Sequence, residues 1–138
     1  MRKKLCLLAA LAVLLAALLG GCGSSLPDGM DEDAVLSAGL RVMKKLIDGD
    51  YDEVCEALRE DVRAQTDAAA IETMMTGATE GLGSYKKVSD SMATGVEDKD
   101  SEPHAIAVIR AKYDKKSVIF RVAFDTDMNL IGLDVKQR

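Results

Sequence analysis

The hydrophobic period of this chain changes once, at Gly83, and that change sets the class of fold. Before it, apolar residues recur every three to four positions. Leu36, Leu40, Met43 and Ile47 predict a helix over residues 31–47. Asp31, Glu32 and Asp33 suit its positive end, Lys44 and Lys45 its negative end, and Gly49 is its stop. Asp50 with Glu53 three residues on reads as a capping box, opening a second helix that carries Tyr51, Val54, Cys55, Leu58 and Val62 on one face. Thr66 or Asp67 caps a third, whose face is Ile71, Met74, Met75, Ala78 and Leu82 and which ends at Gly83. Beyond Gly83 the period falls to two. Strands are expected over residues 85–96, 105–113, 117–124 and 130–136, joined by a polar loop at 97–103 and turns at Asp114-Lys115 and Asp125-Thr126-Asp127. Val118, Phe120, Val122 and Phe124 share one face, and Ile131, Leu133 and Val135 point inward from the last strand. Helices followed by strands argue for an α+β domain, with three N-terminal helices packed on one face of a curved antiparallel sheet of about four strands.

The first residues obey a different logic. Arg2, Lys3 and Lys4 precede an apolar run over residues 5–19, and Leu19-Gly20-Gly21-Cys22 follows. A basic start, a short greasy segment and small residues make a secretory leader, and the run is shorter than the roughly 20 residues of a spanning helix. The order resembles a bacterial lipoprotein signal peptide, and Leu19-Gly20-Gly21-Cys22 resembles its lipobox. That resemblance implies a diacylglyceryl thioether on Cys22, cleavage after Gly21 and a mature chain anchored to a membrane without crossing it, since paired acyl chains hold stably in a bilayer. An uncleaved anchor and a leader cut without lipid are the alternatives. The expected organisation is a signal peptide over 1–21, a lipidated cysteine and flexible tether over 22–30, and one domain over 31–138. The expected place is the extracytoplasmic face of a cell membrane. Gly23 offers no inner-membrane retention signal, so the outer membrane is the alternative in a two-membrane cell.

The leader holds three of the 18 basic residues and none of the 23 acidic ones, so the chain from Cys22 carries a net charge of −8. Such a domain is repelled by nucleic acid and anionic headgroups, and the absence of tryptophan removes a stacking platform. Cys6 leaves with the leader and Cys22 is modified. Cys55 alone remains, too few for a disulfide or an all-cysteine metal site, and reads as a small apolar packing residue rather than a reactive thiol.

No zinc signature, phosphate loop or nucleophile elbow is present, and no cofactor, metal or catalytic residue is assigned. His104, the one histidine, follows Pro103 at the end of the polar loop and is expected to be exposed. Tyr51, Tyr85, Tyr113 and Asp90 are the inward polar candidates for acid–base work, although a tyrosine at a core edge is the commoner reading. Asp125-Thr126-Asp127 lacks the calcium-loop spacing and is expected to be a hairpin turn. Glu97, Asp98, Asp100 and Glu102 read as a solvated acidic loop. Met43, Met74 and Met75 read as core filling, with a pliable apolar pocket as the other reading.

Three segments carry a wider resemblance: Ile47-Asp48-Gly49-Asp50-Tyr51, Leu82-Gly83-Ser84-Tyr85, and the run from Phe124 to Leu133. Together, over about residues 32–135, they resemble small bacterial lipoprotein domains of unknown function in the cystatin-like, nuclear-transport-factor-2-like superfamily. The resemblance implies a cone in which a bent sheet wraps a long helix and can enclose a pocket. Some relatives are joined to α/β-hydrolase domains. The leading expectation is a non-catalytic domain, anchored through Cys22, that binds a small apolar ligand or an envelope protein. A small cone-fold enzyme, or an accessory domain to an envelope hydrolase, is the alternative. A third reading is assembly, with two copies pairing through the open sheet face.

Overall fold

A computed structural model describes residues 25–138, so the basic start, the apolar run, the cleavage site and Cys22 lie outside the described residues. Among the described residues four helices precede four strands: α1 (Glu32–Asp48), α2 (Tyr51–Ala57), α3 (Glu60–Arg63), α4 (Ala68–Thr79), β1 (Tyr85–Val96), β2 (His104–Tyr113), β3 (Ser117–Asp125) and β4 (Leu130–Gln137). The strands form one open antiparallel meander in the order β1-β2-β3-β4. None of the described helices is long and apolar enough to cross a membrane.

Helix α1 follows its expected ends. The Asp31 carboxylate accepts the Ala34 N–H at 3.0 Å, and Gly49 closes the helix at φ 81°. Its buried face, Val35, Met43 and Leu46, lies across the middle of the sheet. The sequence permits a close approach there, because β2 presents Ala105, Ala107 and Ala111 to the core and α1 presents Gly39. A Cβ at Gly39 would stand 2.5 Å from the Ala107 Cβ. Ile109, Val118, Phe120 and Val122 complete this layer. Each large side chain so buried contributes roughly 1.5–3 kcal/mol.

The expected second helix divides in two. Helical periodicity continues through Leu58, but Leu58 takes an extended conformation (ψ 141°), buries its side chain and bridges Leu130 in parallel. The Arg59 N–H donates to the Leu130 carbonyl at 2.8 Å. A tertiary contact therefore overrides local pattern, and α3 restarts the helix. The capping box does not form: Asp50 makes no side-chain cap bond, and Glu53 instead accepts the Lys45 Nζ at 2.8 Å. The third expected helix, α4, is capped by Asp67, which accepts the Ala70 N–H at 2.8 Å. It ends at Thr79 because the chain turns away at Glu80, leaving Leu82 to be buried from the following turn.

Two further differences are local. β4 carries an extra residue opposite the step from Ala123 to Phe124, so Leu130 pairs with Phe124 and is buried while Ile131 is only half-buried. Leu133 and Val135 pair with Val122 and Phe120, on the face expected for them. The tether expected over residues 22–30 is seated from Ser25 onward. Pro27 is buried, and Leu26 and Met30 pack against the core. The segment crosses β1 at Gly95, where a Cβ would collide with the Ser25 carbonyl oxygen and lie 2.9 Å from the Leu26 Cα.

Candidate functional site

The break at Leu58 creates the two features that stand out on this molecule. The first is an apolar groove of about 290 Å³ between α3, α4 and β4, lined by Leu58, Val62, Thr66, Ala70, Ile71, Met74, Gly132 and Leu133. Leu58 and Ile71 are its buried floor, and Met74 and Leu133 are half-buried. No ionisable side chain lines it, and the Thr66 hydroxyl is the one polar side-chain group among these residues. β4 is the terminal strand of the sheet, and beyond Leu130 no described strand pairs with its outer side. The groove thus opens at a sheet edge, while the middle of the sheet is filled by α1.

The second feature is Arg59. Its guanidinium makes five contacts, matching the five N–H donors of the group. Nε and Nη2 reach the two carboxylate oxygens of Asp61 at 2.7 and 2.9 Å, Nη2 and Nη1 those of Glu102 at 2.6 and 3.0 Å, and Nη1 also donates to Asp125 at 3.0 Å. Asp125 is 5% exposed. It accepts the N–H groups of Asp127 and Asn129 at 3.0 and 2.8 Å and the Asn129 side-chain amide at 3.0 Å. Burial raises its pKa, but the donors from Asn129, Arg59 and Asp127 outweigh burial and hold the carboxyl below its usual range. Glu102 and Asp61 are lowered as well, by Arg59 first. All five guanidinium donors of Arg59 are used, so this cluster fastens the segment after α2 to the β1–β2 loop and the β3–β4 turn.

The structure brings three of the four residues suggested for acid–base work together and leaves Asp90 apart. Tyr85 and Tyr113 pair across β1 and β2 with rings edge to face, centroids 5.9 Å apart. Burial, then Tyr85 and Tyr51, raises the pKa of Tyr113, so the three phenols gather at the far end of α1 from Arg59. Among the described residues none of their hydroxyls is hydrogen-bonded to an acid or base, and none lines the groove. Asp90 is exposed on the outer sheet face, opposite Arg110. His104 opens β2 instead of ending the loop. It is half-buried, with Nδ1 2.8 Å from the Glu102 carbonyl. Asp125-Thr126-Asp127 is a hairpin turn, with the Met128 N–H donating to the Asp125 carbonyl at 2.9 Å and Met128 at φ 64°. In the acidic loop, Asp98 binds the N–H groups of Asp100 and Ser101 at 2.6 and 2.9 Å, and Glu102 belongs to Arg59. Among the described residues no group of three or more His, Cys, Asp or Glu is placed to hold a metal ion. Met43 and Met75 fill the core, and Cys55 is half-buried against it. Only Met74 reaches the groove.

Residues 40–133 match the family model described as Protein of unknown function (DUF3887). The chain belongs to this family. A protein from Ruminococcus gnavus ATCC 29149, solved by NMR, has the same fold. It superposes with a TM-score of 0.66 at 22% identity, covering 79% of this chain and 94% of that one. None of the curated proteins matches the DUF3887 chain. The α+β architecture therefore stands on the family member itself and on a solved neighbour.

Proposed function

We infer that this DUF3887 chain is a non-catalytic binding domain, held at the extracytoplasmic face of a membrane through lipid on Cys22, and that its groove takes a small apolar ligand. The observation that carries the reading is the groove's composition: aliphatic and thioether walls, a single hydroxyl and no titratable group. Its volume of about 290 Å³ falls just under that of drug-sized ligand sites, which run from about 300 to 1,000 Å³, and suits a smaller molecule. A bulged meander with a long helix laid across it supports the cystatin-like, nuclear-transport-factor-2-like cone as the name of the fold. Lipobox-like Leu19-Gly20-Gly21-Cys22 supports the anchor.

Residues 25–138 contain the core described above and suit a methyl-labelled NMR titration with 1-octanol. The expected result is saturable shifts confined to Leu58, Val62, Ile71, Met74 and Leu133. Met74→Glu, at a half-exposed position, should weaken binding roughly ten-fold or more without unfolding the chain. Shifts scattered over the surface, or none that saturate, would contradict the reading.

A further inference from the structure

The outer face of the sheet has one strongly basic end. Lys86 and Lys87 open β1, Lys112 closes β2, and Lys115 and Lys116 form the β2–β3 turn, with Lys136 and Arg138 near the end of β4. Lys86 is paired with Asp114 at 3.0 Å and Lys136 approaches Asp134 at 3.8 Å. Lys87, Lys112, Lys115 and Lys116 make no ion pair among the described residues, and all four are exposed. This concentration occurs in a chain whose charge is otherwise strongly negative.

Register makes the arrangement more pointed. Lys87 lies directly opposite Lys112 on neighbouring strands. Side chains so placed have Cβ atoms about 5 Å apart, and like charges there are destabilising. The next residues on this face, Asp90 and Arg110, are opposite in sign, so strand register alone does not force like charges together. The turn beside the pair is held firmly. The Asp114 N–H donates to the Ser84 carbonyl at 3.0 Å, the Lys115 N–H to Leu82 at 3.1 Å, and the Tyr113 N–H to Lys116 at 3.0 Å. Two strands and a fixed turn therefore present four ammonium groups that make no ion pair among the described residues, with Asp114, the partner of Lys86, as the carboxylate nearest Lys115.

We propose that this lysine pole is a binding surface for a linear polyanion, a polymer with negative charge on every repeat. The lysines are exposed and spread over two strands and a turn, so they do not converge on a single small anion. A polymer engages several at once and gains by multivalency. Ammonium groups act as point charges and require no bidentate geometry, which suits a repeating charge over a unique ligand. Single-stranded nucleic acid is disfavoured, because Tyr85 and Tyr113 pack toward the core and leave no stacking ring on this face. The opposite end of the sheet carries Glu97, Asp98, Asp100 and Asp127, whereas the acids at the lysine end, Asp48, Asp50, Asp52 and Glu53, lie where α1 meets α2, on the helix side of the sheet.

The test uses the full chain in neutral phosphatidylcholine nanodiscs, with inorganic polyphosphate as the probe and orthophosphate as the single-anion comparison. Polyphosphate should bind, more weakly as salt rises, and orthophosphate should not. Lys87→Glu/Lys112→Glu and, separately, Lys115→Glu/Lys116→Glu should each weaken binding by roughly ten-fold or more. Lys44→Glu on α1, where Lys44 is paired with Asp48 at 2.9 Å, should leave it unchanged. Lys87→Glu alone places opposite charges across the strands, so it should raise the melting temperature while weakening binding. A lysine pair that only guards the β1 edge would change stability and not binding, which would overturn the proposal. So would binding lost equally in Lys44→Glu, or a pole that holds phosphatidylglycerol nanodiscs and ignores polyphosphate.

Discussion

Asp125 shows what one residue does here. Its carboxylate turns the chain between β3 and β4 and also receives Arg59 from the break after α2. Asp125→Ala would leave the N–H groups of Asp127 and Asn129 without their acceptor, at a cost of about 2 kcal/mol in denaturant unfolding. The pH dependence follows from the sign of the shifts. Asp125, Asp61 and Glu102 all titrate lower in the folded chain than unfolded. Their stabilisation is complete above the ordinary carboxylate range near pH 4 and is lost as pH falls through the lowered folded values. Stability should therefore drop below about pH 4, and Arg59→Ala should flatten that drop. The Asp125 turn is legible in sequence, because Asp-Thr-Asp binds its own backbone. Arg59 is not: Glu102 and Asp125 lie 43 and 66 positions away, and no local pattern connects them.

At the scale of elements, alternation and helical spacing locate all four strands and both long helices, since each buries one face. They fail where a contact between elements outweighs local pattern. Leu58 leaves its helix to bridge Leu130, and the added residue in β4 buries Leu130 in place of Ile131. The groove depends on both departures, so the spacing of Met74 and Ile71 predicts a buried face but not an opening. The packing of α1 yields a prediction of its own. Gly39→Val would force α1 off Ala107, and overpacking of this kind costs about 1–3 kcal/mol. A lower denaturant midpoint with an unchanged slope would be the expected readout.

For the whole molecule, the seat of Ser25–Pro27 matters most. Only Gly23 and Ser24 lie between the proposed anchor on Cys22 and Ser25, which packs on β1, a reach of about 11 Å. The proposed anchor therefore holds the domain by the Gly95 end, and the lysine pole stands outward, about 30 Å away along β2. An anchor on Cys22 would place the end with Glu97, Asp98 and Asp100 against the bilayer, where repulsion from anionic headgroups would discourage the domain from lying flat. The most direct measurement is energy transfer from the bilayer surface to a label at Asp100 or at Lys115 of the full chain in vesicles, with Cys22→Ser as the control. The expected result is membrane association that is lost in Cys22→Ser, with the Asp100 label closer to the bilayer by about 30 Å. Equal distances for the two labels, or association that survives Cys22→Ser, would contradict it.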